Sequence, residues 1–137
     1  MLPSRRSILV DAGPLIALGT PSGHDHVAAI SWASTAPPLA ISTWAVIAEA
    51  AYFLGPRKRV LFTKIEAGTI RIEELRQADM PRLIAILDKY PRADFADASL
   101  VLVAERLGTV EIATLDATDF AIYRTKTGKA FRNVFYE

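Results

Sequence analysis

Short β-type runs that stop at an acid alternate with helical segments along this chain, and that alternation leaves few folds open. SILV at 7–10 runs into Asp11, and VEIATL at 110–115 runs into Asp116. Parallel strands cannot be joined by a tight turn and need a long crossover, usually a helix. Strands that alternate with helices therefore point to a parallel sheet covered on both faces.

Four acids interrupt apolar runs: Asp11 in ILVDAGPLIAL, Glu49 in WAVIAEAAYFL, Asp97 in DFADASLVLVAERL and Asp116 in IATLDATDF. A buried carboxylate is costly unless it is paired or bound to a cation. The basic residues near these acids are too few to be the partner, so the pattern points to a shared metal site. In open parallel sheets, ligands bind beyond the carboxyl ends of the strands, where Asp11 and Asp116 fall. Asp97 sits in the first turn of its helix and Glu49 about two turns into another, so the four elements can converge on one edge.

Each acid also has a plain structural role open to it. Asp11 and Asp116 suit helix caps after strands, and Asp97 suits a first-turn acid behind Asp94 as cap. Glu49 shares a helix face with Val46, Tyr52 and Phe53, which leaves a buried salt bridge as its structural alternative. Asp94 and Asp119 form a second tier, as caps or as partners of the metal or its water. Thr114, two residues before Asp116, has a hydroxyl able to orient a ligand or water.

The remaining elements follow from punctuation and periodicity. Pro14 suits the start of a first helix. A second helix is expected over 24–33, Pro37-Pro38 breaks the chain, and a strand at 39–41 precedes a helix to Leu54 capped by Ser42 or Thr43. Gly55-Pro56 divides that helix from another at 57–67, and 69–73 alternates like a strand. Helices are expected over 80–89, with Leu83, Ile84 and Leu87 on one face, and over 94–107, apolar nearly all round and closed by Gly108. A short helix or turn at 118–123 and a last strand at 131–135 complete the pattern.

At 137 residues and 51% hydrophobic, the chain is expected to form one domain over 1–137 with a core of its own. The absence of cysteine excludes a disulfide framework, a thiolate zinc site and a cysteine nucleophile. No apolar run has the length of a membrane span, so a soluble, cytoplasmic protein is expected. A net charge of +1 gives no bulk signature of nucleic-acid binding. Local basic groups exist at Arg57, Lys58, Arg59 and Lys64, and at Arg124, Lys126, Lys129 and Arg132. They track phosphate only if they flank the acidic pocket. A mean hydropathy of +0.23 suggests that apolar surface is covered by a partner or a second copy.

His24 and His26 read as surface residues and lack the second half of a zinc site. There is no nucleophile elbow, phosphate loop or GxGxxG.

The four acid-bearing segments, VDAGPLIAL, AEAAYFL, DFADASLVLVAERLG and IATLDATDF, resemble the motifs of the PIN domain family, within it the VapC-type toxins of toxin–antitoxin pairs. The resemblance covers nearly the whole chain. It implies a three-layer α/β/α sandwich with a central parallel sheet, an acidic pocket of Asp11, Glu49, Asp97 and Asp116, and endoribonuclease activity. It also implies a homodimer, an RNA substrate and inhibition by a small VapB-type antitoxin.

A pocket of Asp and Glu alone suits Mg²⁺ or Mn²⁺ better than zinc, because hard cations prefer carboxylate oxygen and water. Asp11 and Asp97 are assigned as direct ligands, Asp116 as a third or through water, and Glu49 as a ligand or as the orienter of the attacking water. The alternatives are a binding module that keeps the fold without catalysis, and a metal-dependent phosphatase. The phosphatase would want a second acid close to Asp11 and a later lysine, which VDAGPL and its surroundings lack.

Overall fold

The strands join exactly as helical crossovers require, and the computed structural model describes them within residues 6–35 and 39–136. β1 (Ser7–Val10), β2 (Leu39–Ser42), β3 (Ile70–Ile72), β4 (Glu111–Ala113) and β5 (Arg132–Asn133) form one sheet in the order β3-β2-β1-β4-β5. Every pairing in it is parallel. The helices are α1 (Ala12–Leu18), α2 (His26–Thr35), α3 (Trp44–Leu54), α4 (Lys58–Glu66), α5 (Met80–Lys89), α6 (Phe95–Leu107) and α7 (Ala117–Ile122). They flank the sheet in a three-layer α/β/α arrangement. The Pro37-Pro38 break lies outside the described residues.

From β1 the chain builds outward through β2 to β3, then crosses back to β4 on the other side of β1. The order therefore reverses between β1 and β4, where Leu9 pairs with Ile112 and Val10 with Ala113. A crevice forms outside the strand ends at such a switch point. The residues that leave it first are Asp11 and, three positions past Ala113, Asp116.

The core explains how acids are held beside it. Ile8, Leu9 and Val10 are buried, as are Ile41 and Ile112 on the neighbouring strands. In α6 every residue from Ala96 to Ala104 is buried. Each fully buried Leu or Val there contributes about 1.5–3 kcal/mol of transfer free energy, and this anchors the helix so deeply that Asp97 is carried in with it. Asp94 caps the helix, its Oδ1 accepting the Asp97 amide at 2.8 Å. Gly108 ends it in the left-handed conformation, at φ 70°, where a Cβ would be strained.

Thr43 is the cap of α3, and its hydroxyl lies 2.7 Å from Ser99 Oγ in α6. Ser99 donates to the Ala96 carbonyl at 2.7 Å, so Thr43 is left as the donor between the two hydroxyls. This satisfied chain ties the start of α3 to α6, and so fixes Glu49 relative to Asp97.

Two expectations need correction. In α5 the buried residues are Leu83 and Ile86, while Ile84 faces solvent. The sequence allows either stripe, and packing against α6 selects the one about a fifth of a turn away. In α3 the buried stripe is Val46, Ile47, Ala50 and Leu54. Tyr52 and Phe53 are 80% and 64% exposed, so Glu49 does not share a buried face with them. It is half-buried at the margin of the stripe.

Candidate active site

Six carboxylates, those of Asp11, Glu49, Asp94, Asp97, Asp116 and Asp119, line one cleft of about 410 Å³ at the switch point. Ala12, Ile16 and Leu115 supply its apolar wall, and Arg92 is its one basic lining residue among those described. All four principal acids expected from the sequence are brought together here, along with both second-tier aspartates.

The capping roles and the convergence coexist. Asp11 caps α1, with Oδ1 accepting the Ala12 amide at 2.8 Å, while Oδ2 accepts the Thr114 hydroxyl at 2.8 Å. Thr114 Oγ1 in turn accepts the Asp116 amide at 2.9 Å. One hydroxyl therefore joins the ends of β1 and β4 and positions two acids, which gives Thr114 a scaffold role. Asp116 caps α7, accepting the Asp119 amide at 3.3 Å. A carboxylate oxygen that accepts one hydrogen bond retains acceptor capacity, so capping leaves these groups able to take a further ligand.

Asp97 Oδ2 accepts a 2.7 Å hydrogen bond from the Tyr123 hydroxyl. Tyr123 is buried and stacked edge-on against Tyr90 and Phe120, at ring separations of 5.1 and 5.0 Å. Sequence reasoning missed it. Its partner is 26 residues away and no local pattern announces the pairing.

Burial, and after it the crowding of like charge, shows in the acid strengths. Burial, and then the neighbouring carboxylates, raise Asp97 to about 7. Asp11 is raised by burial and by Asp94 and Asp116, against the hydrogen bonds from Thr114 and Ala12. Burial raises Glu49, aided by Asp94 and Asp11. Asp116 is raised by burial and then by Asp119.

Carboxylate oxygens of Asp97, Asp116 and Asp119 lie within 4.8 Å of one another. Asp119 is buried, and its Oδ1 has no hydrogen-bond partner among the described residues; Arg92 Nη2 lies 3.2 Å from it without hydrogen-bond geometry. An all-oxygen donor set, a buried oxygen that receives no hydrogen bond and acids weakened by burial and then by one another's charge are together what a hard divalent cation would relieve. The residues present fit such an ion. Asp119 joins this trio from the second tier, whereas Asp11 is fastened beside it by Thr114.

The basic groups singled out in the sequence lie elsewhere. Arg57 and Lys64 border a separate apolar groove of about 500 Å³ lined by Leu18, Trp32, Leu54 and Val60. The Arg124 guanidinium is spent on the carbonyls of Ala121, Ile122 and Tyr123 at the end of α7. Of the histidines, His26 Nδ1 lies 2.9 Å from the Ala17 carbonyl and His24 is exposed, and neither lines the cleft. Among the described residues no helix is long and apolar enough to cross a membrane.

No protein-family model matches the sequence, and no curated protein is similar to it in sequence. A solved structure is similar: that of the Mycobacterium tuberculosis toxin VapC20, described as cleaving the sarcin–ricin loop, with a TM-score of 0.72 and 21% identity. The superposition covers 82% of this chain and 92% of that one. With a parallel sheet in the same three-layer setting, the chain has the fold of the VapC-type PIN-domain proteins.

Proposed function

We propose that this protein is a divalent-metal-dependent endoribonuclease and the toxin of a VapBC-type pair. The observation that carries the proposal is the convergence of six carboxylates, with one buried oxygen that receives no hydrogen bond, on the switch point of a PIN fold. Asp97, Asp116 and Asp119 would hold Mg²⁺ or Mn²⁺, with Asp11 beside them as a further ligand. A divalent ion bound there would lower the pKa of a water and offset charge on the phosphate.

The chain's own groups supply orientation and proton handling. Thr114 holds Asp11 and the Asp116 backbone in register, and Tyr123 fixes the Asp97 rotamer. Glu49 faces the same cleft from α3, with its acidity weakened by burial and by Asp94 and Asp11. A weakened acid is the stronger base, so Glu49 is suited to accept a proton from the attacking water. Attack of water on phosphorus with departure of the 3′-oxygen, which takes up a proton, leaves a 5′-phosphate and a 3′-hydroxyl and makes no use of the RNA 2′-hydroxyl as nucleophile, so preference for RNA comes from binding.

A cytoplasmic homodimer neutralised by a VapB-type antitoxin completes this reading. Exposed Tyr52, Phe53 and Val60 support a surface covered by protein.

The test is cleavage of a mixed, labelled cellular RNA pool by antitoxin-free protein, with Mg²⁺, with Mn²⁺ and with chelator, beside a folded Asp11→Asn variant. Discrete metal-dependent fragments that vanish in the variant are expected. Uncut RNA in every lane would overturn the nuclease reading in favour of a binding module.

A further inference from the structure

We propose that Arg92 is an RNA-phosphate ligand held in reserve by Asp119, released to the substrate when that carboxylate turns to a divalent ion. The inference rests on the ribonuclease reading and adds to it a binding residue that no acid motif contains.

The ion pair of Arg92 with Asp119 is built unlike the other arginine pairs. Arg82 grips Glu105 through two hydrogen bonds, of 2.8 and 2.6 Å. Arg106 joins Asp79 and also donates to the Glu74 carbonyl at 2.7 Å. Arg92 approaches Asp119 at 3.2 Å, without hydrogen-bond geometry. Its side chain is 72% exposed, against 12% for Asp119. The guanidinium thus stands at the mouth of the cleft with the carboxylate beneath it.

Its backbone, in contrast, is anchored. Tyr90 packs edge-on against Tyr123, and the Ala93 amide donates to the Tyr90 carbonyl at 2.9 Å, closing the turn that carries Arg92. A fixed base with a loosely held head suits exchange between partners.

Two charge arguments give that exchange a direction. Asp119 belongs to the oxygen trio suited to a divalent ion, so the ion and Arg92 compete for one carboxylate. An RNA strand approaching six carboxylates meets like charge, and Arg92 is the one cation lining the cleft among the described residues. Guanidinium takes phosphate oxygens through charge-assisted, paired hydrogen bonds.

The experiment uses full-length Arg92→Ala and Arg92→Lys and has two readouts besides cleavage. In the first, Mn²⁺ alone is titrated and the melting temperature followed. Loss of the competing cation is expected to tighten Mn²⁺ binding in Arg92→Ala by about two- to fivefold, the range of an exposed ion pair. In the second, a labelled mixed-sequence single-stranded RNA is bound at saturating Mn²⁺ in a Glu49→Gln background that blocks cleavage. There Arg92→Ala is expected to weaken binding about tenfold and to reduce the salt slope by about 0.7, the loss of one phosphate contact to a single strand. Arg92→Lys is expected to keep the slope.

Weaker Mn²⁺ binding in Arg92→Ala would make the residue a prop for Asp119 and overturn the proposal. So would RNA affinity and salt slope unchanged from the parent. If the wild-type protein neither responds to Mn²⁺ nor cuts RNA, the ribonuclease reading falls and this inference with it.

Discussion

Tyr123 donates its hydroxyl proton to Asp97 Oδ2 at 2.7 Å, and this contact links the aromatic packing around α7 to the acidity of the cleft. Burial, and then the bond to Asp97, push the phenol well above its ordinary range, so it remains a donor at every working pH. For Asp97 the same bond works against burial, which has raised the carboxyl to about 7. Without it the acid would be weaker still.

Tyr123→Phe should therefore move the acidic limb of the cleavage–pH profile upward. One hydrogen bond to a charged group is worth about 1.5–3 kcal/mol, and 1.36 kcal/mol corresponds to one pKa unit, so a shift of roughly one to two units is expected. Mn²⁺ binding at pH 6 should weaken in parallel and recover at pH 8. An unmoved limb with a uniformly lower rate would instead make Tyr123 a packing residue alone.

Stability in the presence of chelator should fall as the pH rises. The folded-state pKa of Asp97, about 7, lies above its ordinary 3.8, so between those values the folded protein binds more protons than the unfolded chain. Asp11, Glu49 and Asp116 are raised as well and act in the same direction. The stability present below about pH 4 is thus lost as the pH climbs through 7, and the metal-free protein should melt lower at pH 8 than at pH 5. Asp97→Asn should flatten the trend, and Mn²⁺ should raise the pH 8 melting temperature. A melting temperature that climbs from pH 5 to pH 8 in chelator would contradict the charge-crowded cleft.

Asp94 separates capping from charge. It accepts the Asp97 amide as the cap of α6, and after burial its charge is among the causes that raise Asp97 and Glu49. Asparagine caps nearly as well as aspartate. Asp94→Asn should leave the stability within a few tenths of a kcal/mol while shifting the acidic limb of activity downward, and Asp94→Ala should cost about 1 kcal/mol through loss of the cap. Denaturant unfolding beside a pH–rate profile reads both. Equal destabilisation by the two substitutions would remove the distinction.

What the sequence carried well was local. Strand ends, caps and glycine stops depend on neighbouring residues, and so the run from SILV into Asp11 and the Asp94 to Gly108 helix were legible from it. Pairings set by the fold were not. Ile84 and Ile86 are equivalent on an isolated helix, and only packing against α6 buries the second. Glu49 reached the cleft by a route the sequence argument misjudged, since the aromatic residues thought to bury with it face solvent. Tyr123 and Arg92 gave no sign because their partners, Asp97 and Asp119, lie 26 and 27 positions away, beyond any helical or strand period.

Thr114 is the residue where fold and site are hardest to separate, and its substitutions test how far one hydroxyl organises both. Its Oγ1 donates to Asp11 and accepts from the Asp116 amide, and it is fully buried. Thr114→Val keeps the shape but leaves a buried carboxylate oxygen and a backbone amide without that partner, at a cost of about 1–3 kcal/mol for each group left unsatisfied. Because the hydrogen bond from Thr114 also holds the Asp11 pKa down against burial, the variant should bind Mn²⁺ less well at neutral pH as well as unfold at lower denaturant. Thr114→Ser restores the hydroxyl without the methyl, and should recover most of the metal affinity while remaining somewhat less stable than the parent. If valine lowers stability yet leaves Mn²⁺ affinity at the parent value, Thr114 supports the strand ends and has no part in arranging the acids.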